Sequence, residues 1–290
     1  SGEKEREFYK KALSYLDKAD LTDSQVIELQ KKVRLNIAAS FFIEAHTNGN
    51  IGNYSEAIRL CTETLNIIAK ELGSENADYA LALSNLASYN SSLGNYSEAI
   101  RLGTKALNIQ AKVLGTAHSS YATSLSNLAS YNSSLGNYSE AIRLGTEALN
   151  LFSKALGTEH PDYATLLSNL ANYNASSGNY SEAIHLETEA LNIRKKVLGT
   201  EHPDYAVSLN NLANYNSSLG NYSEAIRLGT EALNIRKKVL GTKHPVYATS
   251  LNNLATYNSY LGNYPEAIRL GTEALNIQAK VLGTEHAGYA

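Results

Sequence analysis

Apolar and polar positions along the chain recur on two scales. Over short stretches they fall on one face of a 3.6-residue helix, as Phe8, Ala12, Leu13 and Leu16 do in residues 3–18. Over longer stretches the whole pattern returns every 42 residues: Gly220-Asn221-Tyr222-Ser223-Glu224-Ala225-Ile226 has near copies beginning at Gly52, Gly94, Gly136, Gly178 and Gly262. A fixed period of this size predicts an array of repeats in which each unit packs on its neighbours.

One unit, Glu201 to Leu240, reads as two helices. Pro203 suits the first position of helix A, where its missing N–H costs nothing. Helix A runs to about Leu219, and Gly220-Asn221 forms the turn. Helix B runs from about Ser223 to Leu240, with Gly241 as its C-cap. Its buried stripe is expected to hold Ala225, Leu228, Ala232, Leu233, Ile235 and Val239, and its solvated face Glu224, Arg227, Glu231, Lys237 and Lys238. Before the array, Ala19 to Asp23 reads as a break, Ser24 as the cap of a second helix, and His46 to Ile51 as a long polar loop. Three segments follow: residues 1–50 as N-terminal helices with a partial repeat, 51–282 as the array, and 283–290 as the start of a further repeat.

Composition narrows the function classes. A formal net charge of −3 supplies no general field for nucleic acid or anionic membrane. No apolar run approaches the ~20 residues of a membrane helix. The single cysteine, Cys61, excludes a disulfide framework and favours a reducing, cytoplasmic setting.

Leu212-Ala213, Gly220-x-Tyr222, Ala225 and Ala232-Leu233 resemble the tetratricopeptide repeat. The 42-residue unit, with Leu240-Gly241-x-x-His244-Pro245 and Ser208-Leu209-Asn210-Asn211-Leu212-Ala213, is similar to the repeats of kinesin light chains and their relatives. That resemblance implies an all-α fold: a right-handed superhelical solenoid of antiparallel helix pairs that binds other proteins and is not an enzyme. Residues 1–50 are similar to the tetratricopeptide segment of immunophilin-type cochaperones, through Leu35-Asn36-Ile37-Ala38-Ala39.

Helix A carries the functional expectation. Wound at about 100° per residue, Tyr205, Leu209, Leu212 and Leu219 share one face, and Val207, Asn210, Asn211, Asn214, Ser217 and Ser218 share the other. In tetratricopeptide arrays the second face lines a concave groove, which would here be neutral and rich in amides and hydroxyls. The leading column is Asn36, Asn85, Asn127, Asn169, Asn211 and Asn253. An amide offers both donor and acceptor, so it can grip a peptide backbone without reading its side chains. Related scaffolds hold extended peptides with such an asparagine ladder; stabilisation of adjacent repeats is the competing explanation. Flanking columns, Ser84, Ser126, Ser168, Asn210 and Asn252, then Ser88, Ser130, Asn172, Asn214 and Thr256, would set specificity.

A second column, Asn90, Asn132, Asn174, Asn216 and Asn258, lies on the apolar face where relatives carry tyrosine. The tyrosines come one residue earlier, at Tyr89, Tyr131, Tyr173, Tyr215 and Tyr257. They are expected to fill the room left by Gly103, Gly145, Gly229 and Gly271, with Glu187 as the misfit. The histidines His118, His160, His202, His244 and His286 read as helix-start residues, since rungs about 10 Å apart cannot share a metal whose ligands lie ~2 Å away. No cofactor is expected. Arg194-Lys195-Lys196 and Arg236-Lys237-Lys238 read as solvated faces. A protein or peptide ligand in the groove is the favoured partner. Self-association through uncapped repeat ends and a cochaperone-type adaptor are the alternatives, the latter opposed by Leu81 and Asn85 where basic residues would be needed.

Overall fold

The computed structural model describes residues 2–16 and 24–282. The described residues form thirteen helices and no strand: α1 Gly2–Leu16, α2 Ser24–Asn50, α3 Tyr54–Leu72, α4 Ala77–Ser92, α5 Tyr96–Val113, α6 Ser119–Ser134, α7 Tyr138–Leu156, α8 Pro161–Ser176, α9 Tyr180–Leu198, α10 Pro203–Ser218, α11 Tyr222–Leu240, α12 Pro245–Tyr260 and α13 Tyr264–Leu282. The break at Ala19–Asp23 and the segment 283–290, with His286, lie outside the described residues. The chain comprises two compact units, residues 1–151 and 152–290. In the first, α1 packs on α2, and α2 to α6 pack each on the next; in the second, α8 to α13 do the same.

The turn from helix A to helix B shows why the Gly-Asn step recurs. Asn95 N–H donates to Asn90 O (2.9 Å) and Gly94 N–H to Ser91 O (2.9 Å), the pair of bonds that closes a Schellman ending. Gly94 sits at φ +80°, where a β-carbon would be strained. The same geometry occurs at each turn, and it reverses the chain within three residues. Helix B then packs antiparallel on helix A.

The buried stripe of helix B is the expected one in Ala225, Leu228, Ala232 and Ile235, with Leu233 half-buried. Val239 is exposed. Helix A buries Tyr205, Leu209 and Leu212 while Leu219, at the turn, is exposed. The solvated face carries the expected pairs, with Arg227 reaching Glu224 (2.7 Å) and Glu231 (3.5 Å). Such exposed pairs contribute a few tenths of a kcal/mol each.

The N-terminal region departs from expectation in two ways. Phe8 is exposed rather than part of a buried stripe. Residues 46–50 are helical, not a loop: α2 continues to Asn50, and Asn53 N–H closes on Asn48 O (2.9 Å) as Asn95 closes on Asn90. Polar composition and Asn48-Gly49-Asn50 suggested a loop, but the helix is held from its partner side. A β-carbon at Gly49 would lie 2.5 Å from Tyr89 Cε1, so the glycine admits a tyrosine ring rather than a turn.

Candidate functional site

The asparagines of the leading helix A column differ in exposure. Asn127 is exposed, and Asn85, Asn169, Asn211 and Asn253 are half-buried. Consecutive helices A come into side-chain reach within each unit. Ser84 Oγ lies 3.4 Å from Ser124 Oγ, and Asn253 Nδ2 donates to Asn210 Oδ1 (3.1 Å). Asn36 does not join the column. With α2 continuous, the residue 42 before Asn85 is Ile43, which is 67% exposed, and Asn36 lies two turns nearer the helix N-terminus.

Several of these amides already have partners within the chain. Asn211 Nδ2 donates to Glu187 Oε2 (3.3 Å). In the flanking column, Asn172 Oδ1 accepts from the Tyr215 hydroxyl (2.7 Å), and Asn214 Oδ1 accepts from that of Tyr257. Ser168 is buried and donates to Glu187 Oε1 (2.9 Å). Ser126 and Asn252 are half-buried. The side chains of Asn85, Asn127 and Asn169 make no hydrogen bond to the described residues.

The second asparagine column is structural. Asn216 is 9% exposed, donates from Nδ2 to Leu212 O (2.8 Å), and accepts at Oδ1 from Asn221 Nδ2 (3.3 Å). Asn90, Asn132, Asn174 and Asn258 repeat both bonds. A buried amide satisfied at both ends ties the last turn of helix A to the first residue before helix B. The tyrosines behave as the glycine column suggests, across the repeat boundary. Tyr131 lies over Gly103, where a β-carbon would be 3.6 Å from Tyr131 Cε2, and Tyr257 lies over Gly229 at 3.3 Å. Burial pushes the Tyr131 and Tyr257 hydroxyls up to about 12, so both remain donors to the preceding helix A.

Glu187, in the glycine column, is fully buried. It receives Ser168, Asn211 and Arg194 Nη1 (3.4 Å). Burial raises the carboxyl pKa above the usual range, opposed by Ser208, Ser168, Arg194 and Asn211. Arg194 also donates to Ser208 Oγ. Arg194 and Arg236 were expected on a solvated face, but they are 5% and 8% exposed. They sit one turn beyond the stripe that the sequence pattern marks as apolar, where a guanidinium on a long stem reaches the next helix A. The lysines beside them are exposed.

The histidines cap helix A. His118, His160, His202 and His244 accept at Nδ1 from the backbone N–H two residues on, each at 3.2 Å. Among the described residues, no group of three His, Cys, Asp or Glu side chains could hold a metal ion. Cys61 is buried, donates to Ala82 O (3.3 Å), and is pushed up to about 12 by burial. An apolar recess of about 270 Å³ lies among α2, α3 and α4, lined by Leu35, Phe42, Ile68, Leu72 and Leu81 with Asp78 beside them. Its residues are scattered over three helices of the irregular first unit, where no column marks them. Among the described residues, no helix is long and apolar enough to cross a membrane.

Helix pairs stacked at a fixed period, with a polar face on every helix A, define a helical-repeat interaction scaffold. The chain belongs to the tetratricopeptide repeat family, whose model matches residues 45–112, 92–154, 120–196, 188–238 and 217–280. Its repeats are of the kinesin light chain type. It is similar to a solved Podosopora anserina structure described as a kinesin light chain with nearly identical TPR-like repeats, at 30% identity and TM-score 0.63 over 71% of this chain and 98% of that one. A single-residue variant of that Podosopora anserina protein matches at the same identity and TM-score, over 70% of this chain and 95% of that one. BtubC (BKLC) from P. vanneervenii shares the fold at 20% identity and TM-score 0.64, over 80% of this chain and 91% of that one. No curated protein matches the chain.

Proposed function

We propose that the polar helix A face binds an extended peptide segment of a partner protein, gripped along its backbone by the asparagine column, and that the chain works as a scaffold rather than as an enzyme. The observation that carries this reading is the state of Asn85 and Asn127. They occupy equivalent places on α4 and α6, Asn85 half-buried and Asn127 exposed, and their side chains have no hydrogen-bond partner among the described residues. Helices A packed about 8–10 Å apart would set rungs on the order of three extended residues apart at ~3.3 Å each. The apolar recess beside α4 would take one bulky side chain of the same segment. Asn211 and Asn253 each spend one donor on the scaffold, which leaves each one amide N–H and its carbonyl oxygen for a peptide.

The test is a peptide array probed with wild type and with Asn85→Ala plus Asn127→Ala. Loss of about tenfold or more in affinity across unrelated bound sequences is expected, since each lost amide bond is worth about 0.5–1.5 kcal/mol. Unchanged binding by the double variant would exclude the ladder.

A further inference from the structure

Two near-identical repeats differ at one place in a way that leaves a buried charge without an acid. Arg194 and Arg236 are 42 residues apart and do the same work: each donates from Nη1 to the serine of the following helix A, Ser208 or Ser250. Arg194 has Glu187 as its carboxylate. The residue matching Glu187 is Gly229. Arg236 therefore faces neutral groups: Ser250, Asn210 Oδ1 at 3.4 Å, which also accepts from Asn253, and the nearby Tyr257 phenol. No carboxylate among the described residues forms an ion pair with it, and its Nε and Nη2 make no hydrogen bond to them. Removing an ion from water without a counter-charge is strongly unfavourable. Two unused donors on one guanidinium form the fork that takes a carboxylate bidentately. Both Asn210 and Asn253 belong to the polar helix A face, so the fork is placed beside the proposed peptide path.

We propose that the partner supplies this acid: an Asp or Glu side chain of the bound peptide pairs with Arg236, as Glu187 pairs with Arg194 inside the scaffold. This rests on the peptide-groove reading and adds a register to it. The backbone-reading asparagines accept any sequence, and one acid fixes where the segment stops sliding.

The probes are Ac-(Ala-Glu)3-NH2 and its uncharged counterpart Ac-(Ala-Gln)3-NH2, titrated calorimetrically at neutral pH and low salt. Wild type is expected to prefer the acidic peptide by about tenfold, the scale of one charge-assisted pair. Arg236→Gln should abolish that preference. Gly229→Glu should abolish it with the arginine retained, by installing the internal acid; Leu254 Cδ2, 3.0 Å from the new Cβ position, must give way. Glu187→Gly should strengthen the preference by freeing Arg194. Circular dichroism melts confirm that each variant folds. Equal binding of both peptides by wild type, or a preference that survives Arg236→Gln, overturns the proposal while leaving the groove reading standing. Failure of wild type to bind either peptide overturns both.

Discussion

Glycine at one helix B position and tyrosine on the next helix A form a single packing unit, and its tolerance differs from site to site. At Gly103 a β-carbon would meet Leu128 Cδ1 at 3.4 Å and Tyr131 at 3.6 Å, ordinary contacts. Gly103→Ala should therefore stabilise by about 0.5–1 kcal/mol through helix propensity, read as a higher midpoint in urea. On α2, outside that helix B column, Gly49→Ala should lower that midpoint, because its β-carbon would lie 2.5 Å from a ring atom of Tyr89 rather than from a flexible tip. The same denaturation experiment on Asn132→Leu should show a loss of about 1–3 kcal/mol, as the Asn137 amide and Leu128 carbonyl lose their partner.

At the scale of the element, helix A begins on a histidine and ends on a glycine turn. His202 accepts from Asp204 N–H at Nδ1, so the ring acts as an N-cap in a place where serine or aspartate is usual. His202→Ala should cost about 1 kcal/mol and His202→Asp should restore most of it, both measured by thermal melting. Helix-start position was legible from the histidine column and the following proline. The cap itself was not, because imidazole is a weak statistical signal for a role that depends on ring orientation. The extent of α2 departs from its sequence pattern for a related reason. Asn48-Gly49-Asn50 has loop composition, but Tyr89 from the neighbouring element holds the helix in place.

Within each compact unit, the helices pack chiefly on their sequence neighbours, so damage should stay local. Leu209 is 1% exposed, and Leu209→Ala should cost about 2–5 kcal/mol. In a repeat array that loss should be confined to nearby units. Hydrogen exchange should rise in α9 to α12 and remain unchanged in α3 to α5; a uniform rise along the chain would show global cooperativity instead. The groove reading belongs to this scale too, since one rung is only an exposed asparagine and several in line make a track.

The sequence by itself determined the period, the helix pairs, the Gly-Asn turns and most of the apolar stripe of helix B. These are local or periodic properties, written in apolar spacing and in glycine and asparagine at fixed offsets. It could not say which polar residues on a face would be consumed by the scaffold. Asn214 is engaged by a tyrosine one repeat away, Asn211 by a glutamate on the preceding helix, and Arg236 is buried without a carboxylate. Those outcomes depend on side chains 24 to 43 residues apart meeting across a helix boundary. Only the packing of one repeat on the next decides which donors are left for a partner.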